Sequence, residues 1–316
     1  MRDLLDALLD ELRESTDMPA QASLYHLSSL EAEHVVRVRE VWPGLPVELR
    51  RRLMTRLVEL AEADFEVDFG AMFRLGLEDQ DAEVRVAAVE GLWEDEDVRL
   101  VPLLAGILRG DEAVSARAAA ATSLGRFVLL GELEKIRREP QTMAYETLLA
   151  ACRNPEEDME VRRRALESLA YVCNEIVAEL IHEAYAAPDD KGPVSAIFAM
   201  GRSADRRWAR QVRQELLSPN PELRYEAARA CGELQLSEAV SELEELADDA
   251  DPEVQEAALW ALGQIGGDRA RQILERYCRA SDEVTRTAAE AALDELEFLH
   301  GDLSDFFTRL IGESDW

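Results

Sequence analysis

The chain has 316 residues, with 66 Asp plus Glu against 35 Lys plus Arg and a formal net charge of −31. That charge is spread along the sequence, so an average surface repels phosphate backbones and general nucleic-acid binding is disfavoured. At 47% apolar content the chain can bury a sizeable core. No apolar run approaches the roughly 18 residues of a membrane span, so a folded cytoplasmic protein without a membrane segment is expected.

Residues 2–13 place Leu4, Leu5, Leu8, Leu9 and Leu12 on one side of a helix, with Asp3, Asp6, Asp10 and Glu11 around the other. Pro19 breaks the helical pattern, so residues 1–22 read as a capping helix and a linker. Beyond residue 23 the sequence repeats itself. In Asp251-Pro-Glu-Val-Gln-Glu-Ala-Ala-Leu-Trp-Ala-Leu-Gly263, Asp251 suits a helix N-cap, Pro252 the first turn and Gly263 the end. Between them Val254, Ala258 and Leu262 recur at i, i+4 and i+8 on one face.

The same small apolar triple lies on Leu49/Leu53/Leu57, Val84/Ala88/Leu92, Ala116/Ala120/Leu124, Val161/Ala165/Leu169, Gly192/Ala196/Met200, Leu223/Ala227/Cys231 and, less well, Val284/Ala288/Ala292. The last five starts are 31, 31, 31 and 30 residues apart. Three positions before the starts stand Asp81, Asp158, Asp189, Asn220, Asp251 and Ser281, all able to accept from the free N–H groups of a first helical turn. An Arg follows the first apolar position at Arg50, Arg85, Arg117, Arg162 and Arg224. Second apolar helices are expected between these, at Asp68–Leu77, Val98–Leu108, Glu175–Ala186, Arg206–Leu217, Ser237–Ala247 and Arg269–Arg279.

One helix pair cannot cover its own apolar stripe, whereas stacked pairs bury a continuous core. The expected fold is therefore all-α, an α-solenoid of about eight helix pairs with helical end caps. Its repeat body is assigned to residues 23–293, with an insertion near 126–140 that stretches one interval to 45 residues. Residues 294–316 read as a C-terminal amphipathic tail or cap, with Leu303, Phe306, Phe307, Leu310 and Ile311 at helical spacing. The segments Asp251–Gly263 and Asp81-Ala-Glu-Val-Arg-Val-Ala-Ala88, with Val101-Pro102, resemble HEAT repeats, in particular the short HEAT-like repeats of the phycobilisome lyase type. The resemblance implies a scaffold for protein partners, and as the alternative a bilin lyase or isomerase-like enzyme or an accessory subunit of one.

Signals for chemistry are sparse. His26, His34, His182 and His300 fall in separate repeats, and Cys152, Cys173, Cys231 and Cys278 form no C-x-x-C pair. No metal, cofactor or catalytic residue is assigned, and the thiols are expected reduced and buried. The segment Gly201-Arg-Ser-Ala-Asp205 is not a nucleophile elbow. Gly263-Gln-Ile-Gly-Gly267 follows a helix and lacks a phosphate-loop Lys, so it reads as a helix terminator.

In HEAT stacks, as the resemblance implies, the motif helices line the concave face. Six positions after each first apolar residue come Thr55, Glu90, Thr122, Glu167, Phe198, Arg229, Trp260 and Glu290. Phe198, Arg229 and Trp260 on successive repeats are the candidate partner-binding ridge, with Phe306, Phe307 and Leu310 of the tail as secondary candidates. Packing between repeats is the competing reading for the aromatic residues. Arg50–Arg52 with Arg56, and Arg162–Arg164, are expected to pair with neighbouring acids. The partner expected is a protein with a basic or mixed-charge surface.

Overall fold

Each apolar triple marks the buried stripe of one helix, and the computed structural model, which describes residues 4–300, shows where the stripes go. Among the described residues every regular element is helical, and the chain divides into two compact units, Met1–Leu169 and Ala170–Trp316. Unit 1 contains α1 Leu4–Glu14, α2 Gln21–Leu24, α3 Ala32–Val41, α4 Val47–Ala63, α5 Gly70–Gly76, α6 Ala82–Gly91, α7 Leu100–Gly110, α8 Val114–Glu132, α9 Arg138–Arg153 and α10 Met159–Leu169. Unit 2 contains α11 Glu175–Tyr185, α12 Lys191–Arg202, α13 Ala209–Glu215, α14 Pro221–Glu233, α15 Val240–Leu246, α16 Pro252–Ile265, α17 Gly267–Tyr277 and α18 Glu283–His300. The motif helices are α4, α6, α8 and α10 in unit 1, and α12, α14, α16 and α18 in unit 2. Within each unit consecutive motif helices pack on one another, and second helices such as α7, α15 and α17 back them, so each unit is an α-solenoid segment.

The stripes are buried as the period requires. Val254, Ala258 and Leu262 of α16 are at most 1% exposed, and the equivalent triples of α4, α6, α8 and α10 are equally covered. Small residues on this face bring the motif helices close. A Cβ on Gly201 would lie 2.9 Å from Ala230 Cα, one on Gly232 3.0 Å from Ala261 Cα, and one on Gly263 2.6 Å from the Ala292 carbonyl oxygen. These glycines at the ninth position after each start are the seats into which the next motif helix fits.

Capping agrees with the sequence apart from one shift. Asp81, Asp158, Asp189, Asn220 and Asp251 each accept from backbone N–H groups of the adjoining first turn. At α18, however, Asp282 rather than Ser281 accepts from Thr285 N, 2.8 Å away. Arg286 donates to the Ala280 carbonyl six residues back, as Arg85, Arg117 and Arg224 do to Asp79, Asp111 and Ser218. The last copy therefore starts at Thr285, with Ala289 fully buried, not at Val284. This keeps the 31-residue period that one wrongly placed cap had hidden, and it moves the sixth position from Glu290 to Ala291.

In α6, α8 and α14 the arginine after the first apolar position clips the motif helix to the turn before and the turn after it. Arg85 donates to the Asp79 and Gln80 carbonyls and, with Nε and Nη2, to Asp111 at 2.6 Å. Arg224 repeats the arrangement on Ser218, Pro219 and Asp249, and Arg117 on Asp111, Glu112 and Glu157. Their side chains are only 14–17% exposed, so these charge-assisted, partly bidentate bonds are shielded from water.

At the N-terminus, α1 buries Leu5, Leu8, Leu9 and Leu12 against α3 and the short helical turn at Tyr25–Leu27. The extra residues near 126–140 lengthen α8, which buries Phe127, Val128 and Leu130, and form the loop and first turn leading into α9. The stretch 127–130 packs in the interior, whereas residues 132–139 are mostly exposed, with Leu133 54% exposed. Gly266 ends α16 with φ of 69° and Gly267 comes next at 87°, left-handed values that other residues rarely adopt. The residues Phe306, Phe307 and Leu310 lie outside the described residues.

Candidate interaction face

The three ridge candidates stand at the sixth position of α12, α14 and α16, on the side of each helix opposite its buried stripe. They are half-buried rather than prominent. The Arg229 guanidinium carbon lies 3.6 Å from the centroid of the Trp260 ring, a stacked cation–π contact. The same ring packs on α14, where a Cβ on Gly232 would meet it at 2.6 Å. Both contacts of Trp260 therefore come from the preceding motif helix, α14. Phe198 belongs to a second contact, with the Arg202 guanidinium 5.3 Å from its centroid. The structure therefore joins Arg229 to Trp260 and pairs Phe198 with a residue the sixth-position rule did not select.

That missed residue belongs to a second row, one helical turn further on. Arg202, Glu233 and Gln264 come four residues after Phe198, Arg229 and Trp260, so each shares a face with its predecessor. Arg202 Nε lies 3.5 Å from Glu233 Oε1. Burial pushes the Glu233 carboxyl above the ordinary carboxylate range, while the positive charges of Arg202 and Arg229 oppose the shift. Gln264 donates its side-chain amide to Glu295 at 3.4 Å, and its main-chain carbonyl meets His300 Nε2 at 2.9 Å. The result is a double row on three successive helices, aromatic, cationic, anionic and amide in turn. The i+4 spacing is the sequence signal that finds it.

In unit 1 the sixth positions hold Thr55, Glu90, Thr122 and Glu167, with no aromatic residue. Two aromatic residues of unit 1 are exposed, Phe65 at 85% and Trp93 at 54%, and Trp93 occupies the ninth position of its copy, where other copies carry a seating glycine. Arg126 Nη1 reaches from α8 to the Leu92 and Trp93 carbonyls. Burial lowers the Arg126 pKa, partly countered by Asp95 and Glu96.

Most arginines of the two clusters are engaged with acids, as expected, while Arg162 donates to the Cys152 carbonyl instead. Arg50 holds Asp79 and the Leu45 carbonyl, Arg51 holds Asp81 and Glu83, and Arg164 holds Glu160 and Glu167. His182 is exposed, with its ring edge-on to Trp208 at 5.0 Å. All four cysteines are free thiols; Cys152 and Cys231 are buried as expected, but Cys173 is exposed and Cys278 half-buried, because both lie in the turns around second helices. Among the described residues no group of three His, Cys, Asp or Glu side chains is placed to hold a metal ion, and no helix is long and apolar enough to cross a membrane.

Residues 209–294 match a family model described as HEAT repeats. No curated protein matches the sequence. Among solved structures, a Kap95:Nup1 complex aligns at 12% identity and a TM-score of 0.51, over 98% of this chain and 47% of that one. The complex of CpcE and CpcF of phycocyanin lyase from Nostoc sp. PCC7120 aligns at 19% identity and 0.48, over 72% of this chain and 94% of that one. A designed armadillo repeat protein aligns at 20% identity and 0.38, over 62% and 99%. At these identities the likeness concerns the fold. Residues 209–294 therefore match HEAT repeats, and capped, arginine-clipped helices of the same kind recur in both units of the α-solenoid.

Proposed function

We propose that this α-solenoid protein is a non-enzymatic interaction scaffold that holds a protein partner against the motif-helix face of unit 2. The observation that carries the reading is the double row Phe198/Arg202, Arg229/Glu233 and Trp260/Gln264. Half-buried aromatic residues and arginines on a rigid support are the usual anchors of protein interfaces, because they bring large contact area at small entropic cost. Neighbouring helices stand about 10 Å apart, which suits an extended segment crossing them. With a chain charge of −31 the surrounding field favours a basic or mixed-charge partner, and Glu233 offers it a carboxylate already partly desolvated.

The test is capture of partners from native-source lysate on full-length protein, comparing wild type with a Phe198→Ala/Trp260→Ala variant and with Arg202→Glu, whose side chain is 37% exposed. Mass spectrometry identifies both proteins and small molecules retained. A protein held by wild type, weakened by salt and lost from both folded variants supports the scaffold and its face. Equal retention by all three removes this face. Retention of a coloured small molecule in place of a protein turns the reading to a lyase-like enzyme.

A further inference from the structure

The turns that follow the motif helices differ between the two units. In unit 2 the turns after α12, α14 and α16 expose no large apolar side chain: Ser203-Ala-Asp205 follows α12, the turn after α14 buries Leu234 and Leu236, and Gly266 ends α16. In unit 1 the turns after α4 and α6 instead carry Phe65 and Trp93, both more than half exposed. These two turns are neighbours at one edge of the unit. Arg51 near the start of α4 holds Asp81 just ahead of α6, so the two helices begin together. At their other ends Arg74 of α5 donates to the Gly70 carbonyl and pairs with Asp95 at 2.5 Å, tying the turn after α4 to the turn after α6. Two helix C-termini, each the negative end of a helix dipole, therefore meet the same edge.

The aromatic pair stands among acids. Residues 62–69 hold four acids and no base, and residues 90–97 hold five acids and no base. Asp95 and Asp97 are taken by Arg74 and Arg99, and Asp64 and Asp68 accept from backbone N–H groups of their own turn. The side chains of Glu62, Glu66, Glu94 and Glu96 are exposed and accept no hydrogen bond among the described residues. Burial and the charge of Glu62 push the Glu90 carboxyl above its ordinary range, so the acids of α4 and α6 act on one another across the gap. The patch ends at the turn after α8, where Lys135, Arg137 and Arg138 offset Glu132 and Glu134 around exposed Leu133.

We propose that Phe65 and Trp93 form a docking surface for a lysine- and arginine-rich segment of a protein partner. The aliphatic stem of such a side chain lies on an aromatic ring, and its charged head reaches the carboxylates beside it. Charge selects this occupant over the others that an exposed aromatic pair could serve. A second copy would bring the same acids against these, and nucleic acid or an anionic membrane would bring phosphates. The surface shares no residue with the face of unit 2 described above, so either can stand without the other.

The test uses full-length protein and a synthetic peptide pool with Lys or Arg fixed at alternate positions and mixed residues between them. The tightest peptide is then measured by fluorescence anisotropy at about 0.15 M salt, and its footprint is read by amide hydrogen exchange. Binding should weaken at least about tenfold in Phe65→Ser/Trp93→Ser, which leaves every charge in place, and in Glu66→Gln/Glu94→Gln/Glu96→Gln, which leaves both rings. Protection should fall on residues 62–69 and 90–97, and Phe198→Ala/Trp260→Ala should bind as wild type does. A pool that yields no peptide tighter than about 100 μM overturns the proposal, as does unchanged affinity in the Ser variant or a footprint confined to unit 2. A dimer mass in light scattering that the Ser variant abolishes overturns it in favour of a second copy. Binding to phosphatidylserine vesicles that the Ser variant abolishes overturns it in favour of a membrane.

Discussion

Replacing Gly263 by Ala tests whether glycine seats set the spacing of the motif helices. The new Cβ would stand 2.6 Å from the Ala292 carbonyl oxygen and 3.2 Å from its C and Cα, all backbone atoms that no rotamer change can move. The helices α16 and α18 must separate. Forcing a methyl group into a packed interface costs about 1–3 kcal/mol, and a backbone obstacle belongs at the upper end. Ala is favoured over Gly inside a helix by about 1 kcal/mol, which offsets part of that cost. The net expectation is a destabilisation of about 1–2 kcal/mol. At a urea m-value of about 2 kcal/mol/M this lowers the unfolding midpoint by about 0.5–1 M.

Gly106→Ala supplies the control. Gly106 lies exposed within α7 and a Cβ there meets nothing within 4 Å. Only the propensity effect remains, so this variant should gain about 0.5–1 kcal/mol. Urea titrations followed by tryptophan fluorescence should therefore move in opposite directions for one and the same chemical change. A Gly263→Ala protein as stable as wild type would refute the close-seat argument.

The arginine clip gives a second prediction: Arg224→Ala leaves Asp249, 9% exposed, without its cation and should cost about 2–4 kcal/mol. A double-mutant cycle with Asp249→Ala should show coupling of at least about 1 kcal/mol, and additive losses would remove the clip. Acid titration gives a third. Hydrogen bonds from Arg51 and Arg224 hold Asp81 and Asp249 below the usual carboxylate range, and bonds from the Arg99 side chain and backbone bring Asp97 to about 2. Their contribution is complete above pH 3.8 and lost as pH falls toward 2; Glu233, raised by burial, acts with the opposite sign, so Glu233→Gln should steepen the acid loss seen in urea titrations between pH 7 and 2. A fourth concerns Trp260→Ala, which empties the space over Gly232 and strips Arg229 of its stacked ring; it should cost about 3 kcal/mol, and a neutral result would mean the ring contributes little packing.

Much of the fold was legible because HEAT-type helices are specified locally. Asp251, Pro252 and the Val254/Ala258/Leu262 triple define a capped amphipathic helix without reference to any distant residue, and the second helices fall close to their expected ranges. Legibility failed where two local solutions compete. Ser281 and Asp282 are both good caps one residue apart, and Val284 is more apolar than Thr285, so pattern alone chose the wrong start. The deciding signal was Arg286, whose bond to Ala280 belongs to the clip rather than to the stripe. Partners of the clip arginines were equally hidden, since Arg85 meets an acid 26 residues away and Arg117 one 40 residues away across the lengthened α8–α9 pair.

The candidate face was legible only in part, for a related reason. Sequence period says which way a residue points along its own helix, but the stagger between neighbouring helices decides whether two such residues touch. Glycine seats bring α14 and α16 near enough for the Trp260 ring to meet Gly232, and the same helix places Arg229 over the ring. Packing and recognition are therefore not alternatives for Trp260. The approach to Gly232 ties the ring to the helix stack, and Arg229 is the element of the pair that can be displaced. A partner that engages this site must compete with or share the guanidinium, so Arg229→Gln should change affinity with Trp260 still in place. Unchanged binding by that variant, measured with the folded protein and the captured partner, would leave the Trp260 contact as packing alone.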